Sequence, residues 1–258
     1  MVQTLRDKAD PEKMYAVKVV QTYNMGATYR LRNEIASLKL LAGHPGIVSL
    51  VDISQSLTST KLVFELCEGG DLHARINQKR WYSEHDAKVC CREVFKILSF
   101  VHSKNIMHRD LKPENILLVS QSSDTDIKLS DFGLCQISTS SAMRPRSYET
   151  VGTMYYLAPE LVNQQEYGQE VDVWAAGIIT YCLLCGTLPF YDEAEEKVYQ
   201  KILEHDISFQ GRAWVQASVQ AADFVRFVLE ASAVDRPSAD GVLAHAWLSA
   251  CDPIVKQV

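Results

Sequence analysis

The chain has no surplus of positive charge: its 258 residues carry 26 lysines and arginines against 32 aspartates and glutamates, a formal net charge of −6. Proteins whose main partner is nucleic acid need a strongly basic face to meet the phosphates, so that class is set aside. An acidic cleft for basic peptides remains compatible with this balance. No apolar run is long enough to cross a bilayer, since the longest, Val173-Trp-Ala-Ala-Gly-Ile-Ile-Thr-Tyr-Cys-Leu-Leu-Cys185, meets Gly186 and Pro189, and no membrane partner is expected. Internal repeats and low-complexity tracts are absent as well. Seven cysteines, at 67, 90, 91, 135, 182, 185 and 251, show no repeated ligand spacing. Cys182 and Cys185 do read C-x-x-C. Inside that apolar run and without a second pair, they read as small hydrophobes on a buried helix rather than as a redox or metal site. No signal-peptide pattern opens the chain, so reduced thiols in an intracellular compartment, cytoplasmic and/or nuclear, are the expectation.

What is present is the composition of an ordinary globular protein, enough for one large domain or two unequal lobes sharing a crevice. The first part reads as strands with one helix. Val2–Arg6 and Met14–Val20 are strand-like, separated by the turn-like Asp7-Lys-Ala-Asp-Pro-Glu-Lys13. Leu31, Ile35 and Leu38 recur at helical spacing and predict a helix over 28–42, stopped by Gly43-His-Pro-Gly46. Strand-like runs follow near 47–53 and 61–66, and Gly69-Gly70 marks a hinge. Beyond it the pattern is mostly helical. Ser83 is placed to cap a helix whose stripe is Ala87, Cys90, Cys91, Val94, Ile97, Leu98 and Val101. Further helices are expected from Asp172 to Gly186 and from Ser238 onward.

Four stretches carry groups suited to phosphoryl transfer, which needs positioning, charge neutralisation and an acceptor for a hydroxyl proton. Ala16-Val-Lys18 puts an ammonium at the end of a strand, and Glu34 on the next helix is placed to hold it. His108-Arg-Asp-Leu-Lys-Pro-Glu-Asn115 offers a base, a second cation and a carbonyl ligand. Asp131-Phe-Gly133 supplies a carboxylate for Mg²⁺. Singly, these read more readily as a solvated lysine, a surface acid and acids in turns. Jointly they do not, because His108, Arg109, Asn115, Phe132 and Gly133 accompany them.

In these blocks the sequence resembles the eukaryotic protein kinase family from Val2 to about Leu248, with further matches at Ala158-Pro-Glu160, Asp172-Val-Trp-Ala-Ala-Gly177 and Asp235-Arg-Pro237. The wording Lys112-Pro-Glu and Gly152-Thr-Met-Tyr-Tyr-Leu-Ala-Pro-Glu160 resembles serine/threonine kinases. Leu62–Leu72, Leu184–Phe190 and Ala244–Leu248 are similar to the calcium/calmodulin-dependent kinase group. The resemblance implies an α+β, two-lobed fold whose small β-rich lobe lacks its first strand and whose large lobe is α-helical. It divides the chain into a partial N-lobe over 1–66, a hinge over 67–70 and a C-lobe over 71–258. It implies ATP and Mg²⁺ as cofactors and protein substrates with basic motifs.

By resemblance, Asp110 accepts the substrate proton and Lys112 stabilises the transferring phosphate, while Asn115 and Asp131 hold metal. Lys18 and Glu34 form the ion pair of an active arrangement. Val2, Ala16, Leu117 and the backbone of Glu65 to Cys67 surround the nucleotide, with Phe64 as gatekeeper. Asp71 and Glu114 favour a basic residue three positions before the phosphorylated Ser or Thr, and Leu157 with Met154 lines a pocket just after it. The acid that would read the second position before the site is replaced by Cys182. His108 and Phe132 pack with Leu38 and Leu50, and Glu160 pairs with Arg236. In the activation segment Glu149 stands where many relatives carry a phosphorylated threonine, with Arg109 and Arg30 as expected partners and Thr150 and Ser147 as neighbouring sites of modification. The glycine-rich turn that covers ATP phosphates would precede Val2. No G-x-G-x-x-G occurs there, so the expectation is a truncated sequence or a protein working without it; the alternative to an active kinase is then a binding or scaffolding pseudokinase. A basic amphipathic calmodulin-binding segment is likewise not found after Leu248, and oligomeric state is left open.

Overall fold

The structure is a computed structural model that describes residues 2–6, 10, 12–22, 25–138 and 145–249. Part of the turn expected over Asp7–Lys13, and Cys251, lie outside the described residues, as does the side chain of Val2. The chain opens with β1 (Val2–Arg6), β2 (Met14–Gln21), α1 (Met25–Leu40), β3 (Leu50–Gln55) and β4 (Ser59–Glu65). The strands form an antiparallel sheet in the order β1-β2-β4-β3. Strand alternation decides what β2 presents: Val17 is buried on one face, while Ala16 and Lys18 share the other. Register sets Ala16 opposite Phe64 and Lys18 between Val2 and Leu62. Helix α1 buries Leu31, Glu34, Ser37 and Leu38, so its inner face is apolar with two polar side chains. Those two need partners in the interior.

The second lobe comprises α2 (Leu72–Lys79), α3 (Glu84–Ser103), β5 (Ile106–Met107), β6 (Ile116–Leu118), β7 (Ile127–Leu129), β8 (Gln136–Ile137) and α4 (Pro159–Val162). It continues with α5 (Glu170–Cys185), α6 (Glu195–Glu204), α7 (Arg212–Gln216), α8 (Val219–Val228), α9 (Ala239–Leu243) and α10 (Ala246–Ser249). Ser83 Oγ accepts from Asp86 N at 3.1 Å and starts α3, and every residue of its expected stripe is buried. Helix α5 is buried on all sides from Val171 to Leu184, which accounts for a run without amphipathic spacing. It ends at Gly186, whose φ is 76°; a Cβ there would lie 1.7 Å from the Arg80 carbonyl oxygen, so glycine is required. Helices α2, α6, α7 and α8 were not foreseen from spacing. Among the described residues no helix is long and apolar enough to cross a membrane.

Two ties position the site. After β4 the chain docks onto β6: Gly69 N donates to Leu118 O at 3.0 Å, Leu118 N donates to Gly70 O at 2.9 Å, and Asp71 bridges Leu117. Deeper in the large lobe, Arg236 grips Glu160 through two bonds of 2.7 and 3.0 Å, both side chains being buried, and its guanidinium lies over the Trp174 ring.

Candidate active site

The loop from His108 to Asn115 is held from below by one carboxylate. Asp172, at the first turn of α5, accepts the backbone N–H groups of His108 and Arg109, each at 2.9 Å, and lies 2.9 Å from His102 Nε2. Burial pushes the Asp172 carboxyl up, but the His102 hydrogen bond, the nearby imidazoles and the backbone donors outweigh it and hold the group below its ordinary value. Arg109 takes a left-handed φ of 67° and Asp131 one of 55°. Such conformations cost about 1–3 kcal/mol each and persist only where surrounding contacts enforce them. Two loop residues facing one crevice share this feature.

Asp110 is fully oriented. Its Oδ1 accepts from Thr153 Oγ1 at 2.9 Å, and its Oδ2 lies 2.8 Å from Lys112 Nζ and 3.3 Å from Asn115 Nδ2. Lys112 Nζ also donates to Thr153 Oγ1 at 2.8 Å. A carboxylate so placed can receive a proton, while the ammonium beside it can meet negative charge. The His108 and Phe132 rings meet edge to face, with centroids 4.9 Å apart; Phe132 belongs to the same buried core as Leu38, against which half-buried Leu50 packs.

Across the crevice, Lys18 Nζ lies 2.6 Å from Glu34 Oε1 and 2.7 Å from Asp131 Oδ1. Burial lowers the Lys18 pKa, but the two carboxylates overcome it and the group is raised. Glu34 is raised because burial outweighs the attraction of Lys18. Asp131 is lowered, since Lys18 and the Gly133 N–H overcome its burial. The raised Lys18 and the lowered Asp131 both favour the charged form of that pair, with Glu34 hydrogen-bonded to Lys18 behind it. Ser130 N donates to Asn115 O at 2.8 Å and β6 pairs with β7, which sets Asn115 beside Asp131. Asn115 spends its Nδ2 on the Asp110 carbonyl at 2.7 Å, keeping the amide oxygen for another partner. Among the described residues no cluster of three or more His, Cys, Asp or Glu could hold a metal. An amide and a carboxylate oxygen fit Mg²⁺, which is commonly held by one or two protein ligands plus substrate phosphates.

Arg109 gathers the activation segment. Its Nε donates to Leu134 O at 2.7 Å; its Nη1 lies 3.1 Å from Glu149 Oε2, 3.2 Å from Ser147 Oγ and Tyr167 Oη, and 3.3 Å from Gln136 Oε1. Ser147 and Tyr167 also pair through their backbones. Thr150 is exposed beside this knot. The expectation that Arg30 shares Glu149 needs correction. Arg30 is exposed on α1, where it lines a cleft of ≈520 Å³ with Lys18, Glu34 and Gly133, and Arg109 is the cation that Glu149 meets among the described contacts.

Ala16, Glu65, Cys67 and Leu117 are half-buried, and the Val2 backbone pairs with Lys18. The Glu65 side chain accepts from Lys128 at 2.8 Å and from Ser49 N at 2.7 Å, and its backbone N–H donates to Ser49 O at 3.1 Å. Asp71 caps α2, its Oδ1 accepting from Ala74 N at 2.7 Å, and Glu114 lies 3.5 Å from His73 Nδ1. Leu157 is buried. Burial pushes the Cys182 thiol far up, and the charges of Cys185 and Glu114 push the same way. Sequence reading gave no role to Thr153, Tyr167 or Gln136. Their contacts join residues far apart in the chain, and no local spacing signals them.

The family model described as the protein kinase domain matches residues 2–248. The chain is 37% identical over 243 residues to calcium/calmodulin-dependent protein kinase type 1 of Macrobrachium nipponense, covering 94% of this chain and 69% of that protein. It is 41% identical over 219 residues to type 1B of Rattus norvegicus, covering 85% and 62%. Against calcium-dependent protein kinase 25 of Arabidopsis thaliana the identity is 38% over 220 residues, covering 84% and 41%. The chain belongs to the protein kinase family, as a serine/threonine kinase similar to the calcium/calmodulin-dependent group. Members of this family use ATP and Mg²⁺. These likenesses give no support to the pseudokinase alternative.

Proposed function

We propose that this chain transfers the ATP γ-phosphate to Ser or Thr of proteins that carry a basic residue three positions before the site. The observation that supports it most is a pair of charged groupings: Lys18, held by Glu34, reaches across the crevice to Asp131, and Asp110, Lys112 and Thr153 are joined in the large lobe. In this reading Lys18, held by Glu34, grips the α- and β-phosphates. Ala16, Leu117, the Val2 position and the backbone from Glu65 to Cys67 hold the adenine, with residues 67–70 as the hinge. Asn115 and Asp131 hold Mg²⁺, which, when bound, neutralises charge on the phosphates. Asp110 orients the attacking hydroxyl and receives its proton, and its bond from Thr153 keeps the carboxylate turned toward the crevice. Lys112 stabilises charge on the transferring group.

For the substrate, Glu114 and the uncommitted oxygen of Asp71 supply the acidic surface, and Leu157 with Met154 supplies an apolar seat after the site. Cys182, buried and neutral, offers no charge for the second position before it. Glu149 against Arg109 serves in part as a built-in substitute for a phosphorylated residue, a carboxylate carrying about one charge against up to two. None of the described cysteines is in a disulfide, in keeping with a reducing intracellular compartment. An oriented peptide library tests the substrate reading. Arginine should be selected three positions before the site, with weak selection at the second; selection of acidic residues or proline instead would overturn it.

A further inference from the structure

The residues after Asp131 attach alternately to two different bodies. The Leu134 carbonyl and the Gln136 side chain both accept from Arg109, at 2.7 and 3.3 Å. Cys135, between them, points the other way, into α1, where its Sγ lies 2.9 Å from Ser37 Oγ. Both side chains are buried, Ser37 at 0% exposure and Cys135 at 2%. Ser37 sits three residues beyond Glu34 on the same buried face of α1. Helix α1 is thus joined to the segment after Asp131 at two levels. One is the Lys18 bridge in the crevice; the other is this hydroxyl–thiol contact one turn deeper.

The second contact is the kind that holds position. A buried hydroxyl has no water to turn to, so separation from Cys135 leaves it unpaired, which is costly. Burial pushes the Cys135 thiol up to about 11, so it stays protonated near neutrality and the contact joins two neutral groups. The attachments form an unbroken series: Glu149 to Arg109, Arg109 to Leu134 and Gln136, Cys135 to Ser37, and Ser37 along one turn of α1 to Glu34 and Lys18.

We propose that Ser37 is a positioning residue for phosphoryl transfer, which through Cys135 couples the docked activation segment to α1 and keeps Glu34 against Lys18. This rests on the reading of Lys18 as the phosphate-gripping lysine. Spatial continuity alone does not establish coupling, and a double-mutant cycle does.

The test uses the purified chain with Ser37→Ala, Cys135→Ala, the double variant and Cys135→Ser. Affinity for Mg²⁺ with a non-hydrolysable ATP analogue is measured by direct titration, turnover on one Arg-x-x-Ser peptide by steady-state kinetics, and thermal unfolding alongside. Ser37→Ala should weaken nucleotide affinity by about two- to twelve-fold, the worth of one hydrogen bond, with the peptide KM unchanged. The double variant should be no worse than the poorer single one, and Cys135→Ser, which keeps a hydrogen-bonding partner, should stay within about two-fold of wild type. Glu149→Ala should cost less in the Ser37→Ala background than alone. Wild-type affinity in Ser37→Ala with only a lower melting temperature, or losses that simply add, would overturn the proposal. If Ser37→Ala does not fold, the comparison of Cys135→Ser with Cys135→Ala decides in the same way. Asp110→Asn separates the two readings: if it left turnover intact, the assignment of Asp110 would fail, while the nucleotide titration would still report on Ser37.

Discussion

Arg109 Nη1 lies 3.1 Å from Glu149 Oε2, and the backbone carbonyl of that same glutamate accepts the Tyr167 hydroxyl at 2.6 Å. The activation segment is therefore docked on the catalytic loop by a carboxylate that needs no modification. Glu149 is more than half exposed, so the ion pair is screened and modest in strength, about 0.2–1 kcal/mol. Glu149→Ala should lower the activity of unphosphorylated enzyme by roughly two- to five-fold. Thr150→Ala should do less harm. An inactive Thr150→Ala beside a normal Glu149→Ala, in the same peptide assay, would make Thr150 the regulated residue instead.

Asp131 should reveal its part through metal dependence. Replacing it by asparagine removes the charge but keeps an oxygen, so turnover at ordinary Mg²⁺ should fall by about a hundredfold or more. Raising Mg²⁺ or supplying Mn²⁺ should recover part of the deficit. A loss insensitive to metal would argue that Asp131 serves mainly as the partner of Lys18.

The Asp172 carboxylate makes a prediction about acid stability. Its folded pKa is held below the unfolded value, near 3.9, so the unfolded chain binds more protons in that window. The stabilisation is fully present above about pH 4 and is lost as pH falls through the folded value. Asp172→Asn loses at least one charge-assisted hydrogen bond, about 1.5–3 kcal/mol at neutral pH. Urea unfolding of both proteins from pH 7 downward should show the gap narrowing below pH 4. A gap that is constant with pH would mean the carboxylate's charge contributes nothing.

The parts of the fold that could be read from sequence are those whose signal is local. Helix α3 announced itself by Ser83 and a stripe that buries without exception, and α5 by an apolar run that is buried on every side. Helix α1 was placed within a few residues of Met25–Leu40 from Leu31 and Leu38. Helices α2, α6, α7 and α8 were passed over; α2 buries only Leu72 and Ile76, and α7 is five residues long. For the site, residue types and their order named Lys18, Glu34, Asp110, Asn115 and Asp131 only through resemblance to a family, since spacing alone left each open to a plain structural role. Arg30 was assigned to Glu149 by the same route, yet α1 carries it along the cleft beside Lys18 instead. Contacts such as Ser37 with Cys135, 98 residues apart, depend on how two elements pack and leave no trace in either local pattern.

The account stands most directly on Asp110. Its carboxylate is set by Thr153, Lys112 and Asn115, the arrangement on which its proposed role as acceptor for the substrate proton rests. Transfer of labelled γ-phosphate from Mg-ATP to an Arg-x-x-Ser peptide should be measured for wild type and Asp110→Asn, with nucleotide affinity determined on the same preparations. Turnover should fall by about 10²–10⁴-fold while affinity for the nucleotide is retained. An Asp110→Asn enzyme working within a few-fold of wild type would contradict the account.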